Sequence, residues 1–439
     1  MASSRCGRRR ALKRRNLAMA ALAAAIAISG CGSDLRSPPA GPPGSPDRSI
    51  PSVSSGFPSP AAGTSSPPGS PATAYSIVEL PVDKVRTVRL PDGPYGPIQA
   101  HRMAGSGPLL VFDEIGYGDD THTLGRRIWL ADLETETLRT IALAAAGDAA
   151  WTPAISGDNV VWVEWRYADQ TNLKGSLTWR IMTLDLRDGK PRPLVSGVSR
   201  RLEGGQGVPP PVQIDGDRLA YAVEDPTPER PLGWKIVLRS LRSGRIEREV
   251  RTALSIYSLG LSGTTIAYSE GFVDQALNFK YRTDLMVSAA DHPAPIELAK
   301  DAFEVAVDGH RIAWVSDPQP SQEQSGLAMH PRILTATLED LAPVAISHEP
   351  DSNPTRGAYW PAAGDGLISW ADDQVGATGP NRGRLLVVWS EKSGAAVQLE
   401  PAHTNISALT EGWLLWYDDT DADHGIVVHG IRLTDVPLP

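Results

Sequence analysis

Residues 153–164 read PAISGDNVVWVE: a short apolar strand, a Gly-Asp turn, then a β-branched strand that ends in an aromatic residue and an acid. Close relatives of this stretch recur along the chain. Aligned on the aromatic residue they are LLVFDE at Phe112, VVWVE at Trp162, LAYAVE at Tyr221, IAYSE at Tyr268, IAWVSD at Trp314, ISWADD at Trp370 and LLWYDD at Trp416, spaced 46 to 59 residues apart. A tight turn precedes each second strand (SGDN, DGDR, SGTT, DGHR, GDG), and a third strand such as RIWLADL or RIMTLDL follows, then a fourth such as LRTIAL. Four short strands in a meander, repeated at this period, are the unit of a propeller blade. No segment carries ten residues at helical period, which excludes a parallel α/β sheet.

Counting strands by type predicts how the ring closes. Seven second strands and seven third strands are present, but after the last third strand, residues 425–433, only residues 434–439 remain. The missing outer strand lies at the other end, at residues 85–90 (VRTVRL), ahead of the first inner strand at 97–103. The expected fold is therefore all-β, a seven-bladed β-propeller over residues 75–439 whose N-terminal strand completes the last blade and leaves no open seam. On this reading nothing before Lys84 matters to stability. The seven aromatics are expected to fill the spaces between blades.

The first 74 residues differ in character. Seven basic residues between Arg5 and Arg15 precede an apolar run at 17–28, too short to span a bilayer and suited to a signal peptide over residues 1–30. Ile28-Ser29-Gly30-Cys31 resembles the bacterial lipobox, which implies cleavage before Cys31 and diacylation of its thiol. Residues 31–74 carry eleven prolines among Ser, Gly, Ala and Thr, and of the larger apolar residues only Leu35, Ile50 and Phe57. Such a segment cannot bury enough surface to fold, and is read as a lipid-anchored, disordered linker. The only cysteines are Cys6 and Cys31, so no disulfide framework is expected in the folded part. The whole chain is net −9; losing residues 1–30 removes seven basic and no acidic residues, leaving 35 against 51. That excess of negative charge excludes nucleic acid and an electrostatic membrane patch. The membrane partner is met through the acyl anchor at Cys31, placing the chain in the bacterial cell envelope, on the outer face of the membrane or in the periplasm.

Chemistry is expected where loops are long. Residues 114–126, 165–178 and 317–331 join second to third strands, 197–209 and 348–359 join fourth to first, and in a meander both classes emerge on one face. An acid follows each second strand there: Glu114, Glu164, Glu224, Glu270, Asp317, Asp372 and Asp418. Arg127, Arg180, Lys235, Arg282, Arg332 and Arg384 open the facing strands, so cross-strand ion pairs are expected for six of the seven acids. Asp418 faces no base. Asp419, Asp421 and Asp423 follow it in a loop similar to the DxDxDG loop of calcium sites, with His424 where glycine would stand. These acids, with Asp418, are the metal site expected for Ca2+; a solvated acidic turn is the competing reading. No other cofactor is required.

No catalytic residue is assigned. GxSxG, HExxH, CxxC and Gly-rich phosphate motifs are absent, and the inner strands offer His101, Arg102, Glu304 and Asp308 as their main titratable groups. The repeat style over 75–439 resembles the TolB-type and surface-protein propellers of bacterial and archaeal envelopes, without the WSPDG form. That resemblance implies a monomeric binding or scaffold module engaging an envelope protein or glycan through the long-loop face. The alternative is an enzyme, a hydrolase or lyase, acting on an envelope or extracellular substrate in the central channel.

Overall fold

The computed structural model describes residues 75–93, 96–97, 99–115, 124–169, 174–199, 209–231, 233–274, 280–316, 331–347, 357–372, 384–404, 406–418 and 427–438. The signal peptide, Cys31 and the linker lie outside the described residues, as do Asp317, Asp419, Asp421 and Asp423. What is described is nearly all strand, arranged as seven four-stranded meanders, one per blade. Blade 2 shows the plan: Ala149–Ser156, Asn159–Asp169, Lys174–Asp185 and Arg192–Ser199, antiparallel throughout, from the channel outward. The other meanders span 99–143 (blade 1), 212–251 (blade 3), 255–300 (blade 4), 302–345 (blade 5), 358–403 (blade 6) and 406–432 (blade 7).

Blade 7 supplies only three strands of its own. Its outer strand is Arg86–Arg89, which pairs antiparallel with Val427–Arg432 in the register Arg86 to Gly430, Thr87 to His429, Val88 to Val428 and Arg89 to Val427. The N-terminal strand thus completes the last blade, as the strand count requires. Val88 and Leu90 turn inward from it, both nearly inaccessible, against Leu110, Phe112 and Leu133 of blade 1. Gly430 permits this approach, because a Cβ there would meet Leu415 at 2.9 Å and Leu133 at 3.0 Å.

The expectation that nothing before Lys84 matters is overturned. Ser76–Glu79 adds a fifth strand to blade 6, parallel to Ala396–His403. Just ahead of it, Tyr75 is buried between blades 5 and 6, edge-on to Trp370 at 6.1 Å, and its hydroxyl donates to Asp372 Oδ2 at 2.9 Å. A strand of four residues, SIVE, with three of them exposed, has too weak a pattern to be read from sequence.

Packing follows the same sevenfold logic. The described residues contain seven apolar clusters, each spanning one junction between neighbouring blades. The recurring aromatic is the centre of each: Phe112, Trp162, Trp314 and Trp370 are fully buried, and Tyr221, Tyr268 and Trp416 very nearly so. Burial of one such ring is worth about 2–3 kcal/mol relative to exposure, so the aromatics contribute as interblade wedges.

Polar clasps tie the same junctions together on the face that carries the short turns between first and second strands. The residue opening each turn accepts the backbone N–H of the turn glycine in the next blade: Ser106 from Gly157 and Ser156 from Gly216 at 2.8 Å, Asp215 from Gly263, Ser262 from Gly309 at 2.9 Å, Asp308 from Gly366 at 3.3 Å, and Asp365 from Gly412 at 2.7 Å. At the seventh junction Thr410 donates its hydroxyl to the Gly107 carbonyl. The Ser or Asp of the repeated turn is therefore kept by its neighbour's backbone, and Asp308 sits in this ring, on the face opposite the long loops.

Candidate functional site at the channel mouth

The inner strands all run from the long-loop face to the clasped face, and five of them are interrupted at one level near the long-loop end. The register slips between Ala100 and Met103, Trp151 and Ala154, Ile256 and Ser258, Phe303 and Ala306, and Tyr359 and Ala362. Each slip is a bulge, which releases one or two residues from the ladder and re-aims them. The released residues include Arg102, Thr152, Tyr257, Glu304 and Trp360, from blades 1, 2, 4, 5 and 6. Thr152, Glu304 and Trp360 adopt φ of 49°, 50° and 52°, a left-handed conformation that costs about 1–3 kcal/mol for a residue with a side chain.

The backbone groups freed by the bulges are taken up by side chains. Asp113, fully buried, accepts from Arg102 N–H at 2.6 Å and from Thr152 N–H of the next blade at 3.1 Å. Ser258 Oγ accepts from Val305 N–H at 3.3 Å, and Glu304 accepts from Trp360 N–H at 2.8 Å. The links to Thr152, Val305 and Trp360 cross blade junctions, so strained Thr152 and Trp360 are held from outside their own sheets. The Thr152 hydroxyl is buried and has no hydrogen-bond partner among the described residues.

Glu304 is the chemical centre of the mouth. Burial pushes its carboxyl above the usual range, while the Trp360 N–H and the positive charges of Arg102 and Arg384 oppose that rise. These arginines come from blades 1 and 6. The Arg384 guanidinium lies 4.4 Å over the Trp360 ring and 4.9 Å over that of Tyr359, a cation–π arrangement with both. Tyr257, at the blade 4 bulge, is 42% exposed.

The acids at the ends of the second strands have other duties. The expected ion pair forms in blade 1, where Arg127 donates to Glu114 at 3.2 Å, and in blade 2, where Arg180 reaches Glu164 at 2.6 Å. In other blades the register or the partners differ, and Asp317 of blade 5 lies outside the described residues. Lys235 pairs with Glu249 at 3.2 Å, on the outer strand. Glu270 stands opposite Asp284 rather than Arg282; burial raises its carboxyl, Asp284 adds to the rise, and the N–H groups of Ala253 and Leu254 oppose it. Asp372 faces Leu385, since Arg384 lies one residue before the strand, and is bonded by Tyr75 and by the Trp370 indole at 3.3 Å. Trp162 likewise donates to Glu164 at 3.2 Å. Residues two apart share one face of a strand, so the repeated W-x-acid in the sequence is the signal for this bond. Blade 5 has Ser316 at that place, and the Trp314 indole nitrogen lacks a partner among the described residues.

Of the expected metal ligands only Asp418 is described: it is half-buried and ends its strand opposite Val427. No group of three or more His, Cys, Asp or Glu side chains able to hold a metal occurs among the described residues. Nor is any helix among them long and apolar enough to cross a membrane.

No protein-family model and no curated protein matches the chain. Solved structures do. The β-propeller domain of the trilobed protease from Pyrococcus furiosus aligns over 78% of this chain and 97% of its own length, with a TM-score of 0.51 and 13% identity. The uncomplexed acylaminoacyl peptidase of Pyrococcus horikoshii aligns over 73% of this chain at a TM-score of 0.50 and 13% identity, and the chain spans about half of that protein's length. An oligogalacturonate lyase in complex with manganese covers 80% of this chain and 91% of its own at 15% identity, with a TM-score of 0.46. At such identities the likeness is one of fold.

Proposed function

We propose that the chain is a lipid-anchored, extracytoplasmic propeller that binds an envelope protein or glycan through its long-loop face, tethered by Cys31 and the linker at 31–74. The observation that carries this reading is the commitment of the rim acids. Glu114, Glu164 and Asp372 are held by Arg127 and Trp129, by Arg180 and Trp162, and by Tyr75 and Trp370. Carboxylates so occupied stiffen a surface, and a stiff rim around long loops suits recognition. At the mouth, Glu304 is flanked by arginines, which hold their protons and cannot act as the base that hydrolysis or elimination needs. The resemblance to TolB-type envelope propellers adds to the reading.

The test uses the Cys31→Ala chain, which should fold and stay soluble because one acylated residue supplies the attachment. It should co-sediment with envelope fragments. A polyethylene glycol coupled at Ala146→Cys, on the long-loop face, should block this, and one coupled at Lys190→Cys, on the short-turn face, should not. Blocking from the short-turn face alone would overturn the assignment of the surface. A second reading, a hydrolase or lyase, is favoured by one observation, the raised Glu304 carboxyl, which suits a general acid. Turnover of an envelope polymer that Glu304→Gln abolishes would establish it.

A further inference from the structure

We infer that the outer edge of blade 2 is a docking site for an extended segment of a partner protein, apolar at alternate positions and acidic at its end nearer the clasped face. The inference rests on the binding reading above and narrows its partner to a protein strand.

An outer strand presents an unpaired row of N–H and C=O groups, which invites another strand unless something guards it. Six of the seven edges are guarded. Blades 1, 3, 4 and 7 carry charge on theirs, in TLRTIAL, IEREVR, IELAK and RTVR; blade 5 has only Val344 and Ala345; and blade 6 is covered by Ser76–Glu79. Blade 2 opens its outer strand with Arg192-Pro193, but beyond these the run Leu194-Val195-Ser196-Gly197-Val198 has neither charge nor proline. No strand among the described residues pairs with its outer side, and Val198 is 55% exposed there.

A groove of about 320 Å³ lies beside this edge, between blades 2 and 3. Trp179 and Val195 form one wall, and Tyr221, Val237 and Ile246 the other. A Cβ at Gly197 would overlap the Trp179 ring, so the indole lies directly against the backbone of the edge strand. Blade 6 shows what such a place holds. Ser76–Glu79 makes four rungs with Val397–Glu400, and the flanking Tyr75 and Leu80 are buried in the junctions to either side of that blade. A strand added to blade 2 in the same way gains affinity from main-chain bonds and selectivity from alternate side chains that enter the groove.

Charge sets the chemistry of the occupant. Arg192 begins the edge strand, Lys190 stands two residues before it, and Arg245 precedes Ile246; all three are exposed, with side chains that have no partner among the described residues. Acids of the adjoining turns are engaged: Asp158 by Arg187, Asp217 by Ser240 and the Arg242 N–H, and Glu247 by Arg218. Toward the long-loop face, Lys235 and Glu249 offset each other at 3.2 Å. A chain of net −9 therefore places uncompensated positive charge at the clasped end of this groove, which favours an acidic strand end there and disfavours a basic one.

The experiment measures binding of labelled synthetic peptides to the Cys31→Ala chain by fluorescence anisotropy. The first peptide has an aspartate pair followed by threonine alternating with valine or tyrosine, the order that suits a strand parallel to its neighbour, as Ser76–Glu79 is. The second has lysines in place of the aspartates, and the third is a scramble of the first. Binding of the first alone is expected, with protection of the Val195–Val198 amides from hydrogen exchange. Val198→Lys, which supplies the missing guard at an exposed position, should weaken it roughly tenfold or more at an unchanged melting temperature. Leu143→Lys, equally exposed on the outer strand of blade 1, should leave it unchanged. Arg245→Glu should weaken the first peptide and admit the lysine one. Equal binding of the scramble, binding that ignores Val198→Lys, or protection at another edge overturns the inference. So does self-association of the chain that Val198→Lys abolishes, since the edge then belongs to a second copy. If no peptide binds while envelope fragments still co-sediment, the inference falls and the binding reading stands; failure of both removes both.

Discussion

Thr410 donates its hydroxyl to the Gly107 carbonyl at 2.8 Å, across 303 residues of chain, and reverses the polarity of the six other clasps. In those six, a Ser or Asp oxygen accepts from a glycine N–H. Thr410→Val keeps the shape and removes the donor, leaving a buried carbonyl to lose its partner. Denaturant unfolding should show a loss of about 1–2 kcal/mol. Ser156→Ala, at an ordinary junction, should cost a similar amount, and the double variant should be additive because the sites share no partner. A strongly cooperative loss would show that the clasps act as a single belt.

The N-terminal latch gives a graded series. Tyr75→Phe keeps the buried ring and loses the bond to Asp372, which should cost about 1–2 kcal/mol. Tyr75→Ala should cost about 3–5 kcal/mol, as for other buried aromatics. A chain starting at Pro81 loses the fifth strand of blade 6 as well, and one starting at Asp92 loses the outer strand of blade 7 and should not fold cooperatively. Thermal melts of the four proteins, ranked in that order, test both seams at once; equal stability of the first truncation and the parent would reduce Ser76–Glu79 to decoration.

Acid should loosen the closure before the rest. His429 lies on the seam, stacked on Trp416 at 5.1 Å, with Nδ1 3.2 Å from Thr87 Oγ1. Burial holds its pKa below the ordinary value, and the Asp418 carboxylate opposes that shift. A histidine depressed in the folded state takes up its proton more readily when unfolded. Its contribution is therefore complete above about pH 6.5 and lost as pH falls toward the folded value. His429→Gln should flatten the slope of stability against pH in that window. Hydrogen exchange at Arg86–Arg89 should accelerate there in the parent alone.

Calcium tests the acidic loop. If Asp419, Asp421 and Asp423 with Asp418 hold the ion, calcium raises the melting temperature by mass action, and Asp421→Asn with Asp423→Asn abolishes the rise. Should the double variant equal or exceed the parent with and without calcium, the loop is a solvated turn.

The architecture was legible because its signals are periodic. An aromatic every 46 to 59 residues and a missing outer strand are counts, and counting located the seam within one residue at each end. Glu304 and Arg102 were picked out only as rare titratable groups on apolar strands. What brings them together, a bulge at one level of five strands, depends on register, which shifts by one residue without altering the alternation much. Register also separates the expected cross-strand partners: Arg384 and Arg282 stand a rung or two away from the acids they were matched to. Ser76–Glu79 had no repeat to belong to.

The seam also sets an order of events. Thr87 and His429 are 342 residues apart, so residues Arg86–Arg89, among the first to be synthesised, are the last to find partners, and they wait while six blades assemble. Nothing but the emerging C-terminus of the same molecule satisfies them in the monomer. A second copy offers the same edge, so refolding at high concentration should yield dimers that exchange residues 75–90, separable by size and reverting only after unfolding. For a chain tethered as proposed and crowded on a membrane plane, finishing one's own ring before meeting a neighbour becomes a matter of timing.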